Sequence, residues 1–158
     1  MKTSSALIAL GWLVAMTSPG SAADVRFRGA LTVTNAKNCA IRHKGETFNS
    51  AYMAAGSDGG HILTTSFSMV GLYSGDIYEL QTGTPFPNTW TTLLAYGFDS
   101  SDYFFTTRVR MMEQSPALVD DRTQSLQLVG AIESPSDDPG VGGVKCVITF
   151  RAAYDRRL

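Results

Sequence analysis

The chain is 158 residues long, enough for one domain with a real core and too short for two comfortable ones. It carries 13 Lys and Arg against 14 Asp and Glu, a net charge of −1, with the basic residues dispersed as Arg26 and Arg28, Arg108 and Arg110, and Arg156 and Arg157. That balance argues against nucleic acid or an anionic membrane surface as partner, because both need a concentrated basic footprint.

The first residues read as a secretory signal. Lys2 stands ahead of the apolar run Ala6 to Met16, Pro19-Gly20 breaks any helix, and Ser21-Ala22-Ala23 supplies small residues for cleavage. A run of this length falls short of the about 20 residues a helix needs to cross a bilayer. The expectation is therefore a signal peptide over 1–22 and one mature domain over 23–158, periplasmic or secreted, with no membrane span once the signal is removed. Two cysteines in an exported chain are most simply one disulfide, Cys39 to Cys146. A metal site is the competing reading, since Cys39 and His43 have a C-x3-H spacing and Cys146 offers a third ligand. It lacks a fourth group.

Beyond Asp24 the pattern is period two. Val25 to Thr34 alternates Val25, Phe27, Gly29, Leu31 and Val33 against Arg26, Arg28, Ala30, Thr32 and Thr34, which predicts a strand with one wet face. Asn35 to Asn38 is turn chemistry, and Thr47 to Met53 follows as a strand with Phe48, Ser50 and Tyr52 on one side. Gly56 to Gly60 reads as a loop, then His61 to Met69 and Asp76 to Gln81 as strands. Gly83 to Asn88 is irregular. Thr89 to Tyr96 is the fifth strand, and Asp102 to Glu113 the sixth, with Tyr103, Phe105, Thr107, Val109 and Met111 facing the core. Ser125 to Glu133 is the seventh. The turn-rich Asp137 to Gly143 then feeds the eighth, Val144 to Tyr154, which places Cys146, Ile148, Phe150, Ala152 and Tyr154 on one face.

Eight strands without helical spacers predict an all-β, mostly antiparallel domain, because parallel pairing needs long crossovers. The favoured architecture is a β-sandwich of Greek-key type with one disulfide; the alternative is a closed β-barrel. An immunoglobulin-type domain is argued against by cysteines 107 residues apart. A chaperone-assembled pilin would place its second cysteine earlier.

Motifs that carry chemistry are scarce. The chain has no Gly-x-Ser-x-Gly elbow, no His-Glu-x-x-His and no phosphate-cradling or dinucleotide loop. Ser57-Asp58-Gly59-Gly60-His61 holds the letters of a hydrolase triad, but neighbours in one loop rarely converge in the required geometry. Asp99 with Asp102, Asp120-Asp121 and Asp137-Asp138 are loop acids of the kind that bind a structural calcium or serve as paired glycosidase carboxylates. The blander reading is that aspartate favours turns. Among the aromatics, Phe86 between two prolines, Trp90 and Phe98 are the surface candidates, and with Asp137 and Asp138 they form the expected binding surface for a protein or glycan. The expected function is a non-catalytic exported protein with a binding or structural role in the cell envelope or extracellular space, without cofactor. The alternatives are a small secreted hydrolase or lyase using loop carboxylates or His61, and self-association through an exposed strand edge.

Overall fold

A computed structural model of the chain describes residues 25–54, 65–71, 75–80, 86–97, 104–135, 138 and 140–156. Eight strands follow in order: β1 (Val25–Lys37), β2 (Thr47–Ala54), β3 (Thr65–Val70), β4 (Gly75–Leu80), β5 (Thr91–Gly97), β6 (Phe104–Ser115), β7 (Ser125–Glu133) and β8 (Val147–Arg156). Each pairs antiparallel with the next, and β8 returns to β1, so the sheet closes on itself. The all-β, antiparallel expectation holds, and the architecture formed is the closed barrel. Neighbour-to-neighbour connections stand where Greek-key links were expected. The reason lies in β1, which pairs over most of its length with both β2 and β8 and so leaves no edge at which two sheets could separate. Self-association through a free strand edge accordingly has no edge to use among the described strands.

Local sequence explains the closure. Gly29 faces β8, where a Cβ would collide with the carbonyl oxygen of Ala153; only glycine lets the first and last strands approach this closely. Register shifts between Val33 and Asn35 on β1 and between Met111 and Glu113 on β6 mark bulges that bend the two longest strands.

Alternation sends one side chain in and the next out. Phe27, Leu31, Tyr52, Phe67, Tyr78, Leu126, Ile148 and Phe150 fill the interior and are essentially inaccessible. Phe67 is the hub, with ring centroids 4.9 Å from Tyr78, 5.1 Å from Phe86 and 5.6 Å from Phe150. Near it, Ser50 donates to the Ser68 carbonyl, which leaves its own oxygen to accept the Tyr154 hydroxyl at 2.8 Å. The outward faces of β1, β7 and β8 carry Arg26, Arg28, Gln127, Arg151 and Asp155, all exposed. A lipid-spanning barrel alternates the other way, apolar out and polar in. Among the described residues no helix is long and apolar enough to cross a membrane.

Strand direction gives the barrel two poles. One holds the starts of β1, β3, β5 and β7; the other holds the β1–β2 and β7–β8 connections, and with them both cysteines.

Candidate functional site

The second pole is built around a clasp. Cys39 and Cys146 form a disulfide with Cα atoms 4.4 Å apart, joining the loop after β1 to the residue just before β8. The strand begins at Val147, so Cys146 belongs to the loop and not to the strand proper. Beside it Asp138 is 0 % exposed. Its Oδ2 accepts the N–H groups of Ile41 and Arg42, both at 2.8 Å, and its Oδ1 accepts those of Ala40 at 2.9 Å and Gly140 at 3.0 Å. Burial alone would raise the carboxyl pKa, but the four backbone donors favour the charged form and hold it below the ordinary carboxylate value. A single side chain thus gathers three consecutive amides of a distant loop.

The β7–β8 connection turns tightly to reach this position. Gly140 adopts φ 87°, and a Cβ there would run into the Val144 carbonyl, so the residue after the Asp138-Pro139 pair has to be glycine. Val141 and Val144 then exchange backbone hydrogen bonds of 3.2 and 3.0 Å across Gly142-Gly143. On the β1–β2 side the buried Arg42 lies with its guanidinium 4.7 Å from the Phe48 ring centroid and pairs with Glu46 at 3.0 Å. Rigid backbone thereby presents apolar side chains outward: Ile41 is 50 % exposed, Val141 54 % and Val144 53 %. None of the three was singled out from sequence, where each looks like an ordinary strand or loop aliphatic.

The metal reading is corrected here. Among the described residues the group close enough to share an ion is Cys39, Asp138 and Cys146, and His43 is not in it. The two sulfurs are bonded to each other and the carboxylate is already saturated by amides, so this is a structural tie and not a thiolate site. Asp120 is likewise engaged at a turn. The Thr123 side chain and the Arg122 and Thr123 amides donate to it and lower its pKa, as a turn aspartate does.

The aromatic candidates separate. Phe86, expected at the surface, is 5 % exposed and packs edge-on against Phe67 inside the barrel mouth at the first pole. Its flanking Pro87 accepts the Met111 amide at 3.1 Å, which pins the segment to β6 and drives the ring inward. Trp90 stays half-exposed on the outer wall with the Arg108 guanidinium 5.4 Å from its ring centroid, and Arg108 also pairs with Glu133 at 3.3 Å. Phe86 therefore belongs to the core and not to a surface, whereas Trp90 stays outside, linked through Arg108 and Glu133 to Lys145 beside the clasp. Phe98, Asp137, Asp58, His61, Asp99 and Asp102 lie outside the described residues. Comparisons with protein-family models, curated proteins and solved structures give no match to this chain.

Proposed function

We propose that the protein is an exported, non-catalytic barrel that docks a protein partner through its clasped pole. The observation that carries the reading is the contrast at that pole between stiffness and exposure. A disulfide and a four-donor aspartate immobilise two loops whose outward side chains, Ile41, Val141 and Val144, contribute little to the core. Pre-ordering a loop removes an entropic cost that association would otherwise carry, and half-exposed aliphatics on a fixed backbone supply area to bury. The apolar leader over 1–22 and the disulfide are both consistent with a destination outside the cytoplasm.

The alternative is a small secreted hydrolase or lyase using loop carboxylates or His61. To take part, Asp120 would have to surrender two backbone donors and Asp138 four.

Photo-crosslinking in the source cell tests the docking reading. A photoreactive residue at Val144 or Val141 is expected to give one discrete adduct, whereas the same residue at the wall position Gln127 gives none. Equal labelling from the wall and the pole, or no adduct from either valine, overturns it.

A further inference from the structure

The two sulfurs of the clasp are unequal. Cys146 is 0 % exposed, whereas Cys39 is only partly buried, so a reagent arriving from solvent meets the bond through Cys39. On the buried side lies Asp138, with a carboxylate oxygen and the two sulfurs all within 4.8 Å of one another. Four backbone N–H groups hold that carboxylate in its charged form and fix its position, so it cannot swing away from the sulfurs. Cations on the same two loops direct their charges to other acids: Arg42 to Glu46 at 3.0 Å and Lys145 to Glu133 at 3.1 Å.

We propose that Asp138 guards the clasp against reduction by thiols. In thiol–disulfide exchange a thiolate attacks one sulfur, and the electron pair of the broken bond leaves on the other. Burial closes the approach to Cys146, so attack falls on Cys39. A bond forms between the incoming sulfur and Cys39 Sγ, the Cys39–Cys146 bond breaks, and Cys146 departs as a thiolate that then takes a proton from solvent. A second thiolate releases Cys39 and leaves the reductant oxidised to its own disulfide. The step that Asp138 opposes is the departure of Cys146. That anion forms in a buried position beside a fixed carboxylate, where desolvation and like charge both disfavour it, and a poorer leaving thiolate departs more slowly. Asp138 thus acts twice: its acceptor oxygens fasten the two loops, and its charge protects the covalent link between them. This guard concerns the clasp itself and stands whether or not the pole docks a partner.

The test follows reduction of the folded, disulfide-bonded protein by glutathione at neutral pH, below the onset of each variant's melting transition, with acid quenching and mass spectrometry. Asp138→Asn keeps one acceptor oxygen and loses the charge, and is expected to accelerate the reaction about tenfold. Glu46→Ala loosens the same β1–β2 loop by removing the acceptor of Arg42 and of the His43 amide, yet leaves the Asp138 carboxylate in place, and is expected to react at close to the wild-type rate. Equal acceleration in both variants, or none in Asp138→Asn, would overturn the proposal. A second measurement separates charge from packing. In Cys39→Ser the remaining Cys146 thiol, followed by thiolate absorbance in the ultraviolet, is expected to ionise above the ordinary value of about 8.5, and adding Asp138→Asn is expected to lower it by about one unit or more. A Cys146 thiol that ionises at or below the ordinary value in Cys39→Ser, or equally with and without the Asp138 charge, would also overturn it.

Discussion

Asp138 and Ile41 are 97 residues apart in sequence, yet the carboxylate of the fully buried Asp138 accepts the backbone N–H of the half-exposed Ile41 at 2.8 Å. With the neighbouring amides of Ala40 and Arg42, this makes Asp138 a non-covalent partner to the disulfide beside it. Replacing it with alanine leaves the buried Arg42 amide and the part-buried Ala40 and Ile41 amides without their acceptor. The expected loss for Asp138→Ala is about 2–4 kcal/mol in denaturant unfolding, with Asp138→Asn in between because it retains one acceptor oxygen.

The same contact sets an acid dependence. The Asp138 pKa is lowered on folding, so its contribution is complete above about pH 4, the ordinary unfolded value, and fades as pH falls through the depressed folded value. Melting temperatures of wild-type protein and Asp138→Asn, followed downward from pH 6, should converge below about pH 4. A gap that persists unchanged to pH 2 would contradict the charge-based account.

The disulfide closes a loop of 107 residues. On the chain-entropy model such a link is worth on the order of 4–5 kcal/mol, so Cys39→Ser/Cys146→Ser should unfold at markedly lower denaturant concentration. Non-reducing peptide mapping should recover the two cysteine peptides joined, and two free thiols would remove the clasp.

Two interior hydroxyls predict an alkaline limit. Burial pushes the Tyr52 pKa up to about 12, and burial also raises that of Tyr154, against the opposing effect of its hydrogen bond with Ser50. Their neutral forms are favoured by folding, so that stability is intact below about pH 10 and is lost as pH rises through the folded values. Absorbance at 295 nm should show two tyrosines that ionise only together with loss of the β-sheet circular dichroism signal. Ser50→Ala, which removes the acceptor of the Tyr154 hydroxyl, should cost about 1–3 kcal/mol.

Phe86 tests the barrel mouth. Phe86→Ala leaves a void beside Phe67 and should cost about 3 kcal/mol or more, whereas Trp90→Ala, half-exposed on the wall, should cost clearly less. Similar losses for both would place Phe86 outside the core after all.

These contrasts show what the sequence could carry. Alternation is a local property, and it located all eight strands and the inward faces of β1, β2, β6, β7 and β8. Closure is not local. Whether β8 meets β1 depends on bulges at Val33 and Met111 and on the close approach at Gly29, each invisible as a pattern of apolar and polar residues. The cysteine pair was legible because two thiols in one chain have a single intramolecular pairing. Asp138 was legible only as a turn acid, since nothing in Asp-Asp-Pro-Gly announces amides supplied from Ala40 to Arg42. Phe86 was misplaced for a similar reason. Its flanking prolines imply irregular backbone, which is correct, but irregular backbone at a barrel mouth points inward as readily as outward.

In the antiparallel pairing of β1 with β8, Phe27 stands opposite Arg156, so the first and last strands begin and end side by side at the pole remote from the clasp. Anything fused or tethered at either end of the barrel would hold it by that pole and leave Ile41, Val141 and Val144 aimed away from the attachment. A barrel immobilised at the start of β1 or at the end of β8 would therefore present its clasp away from the support in either case.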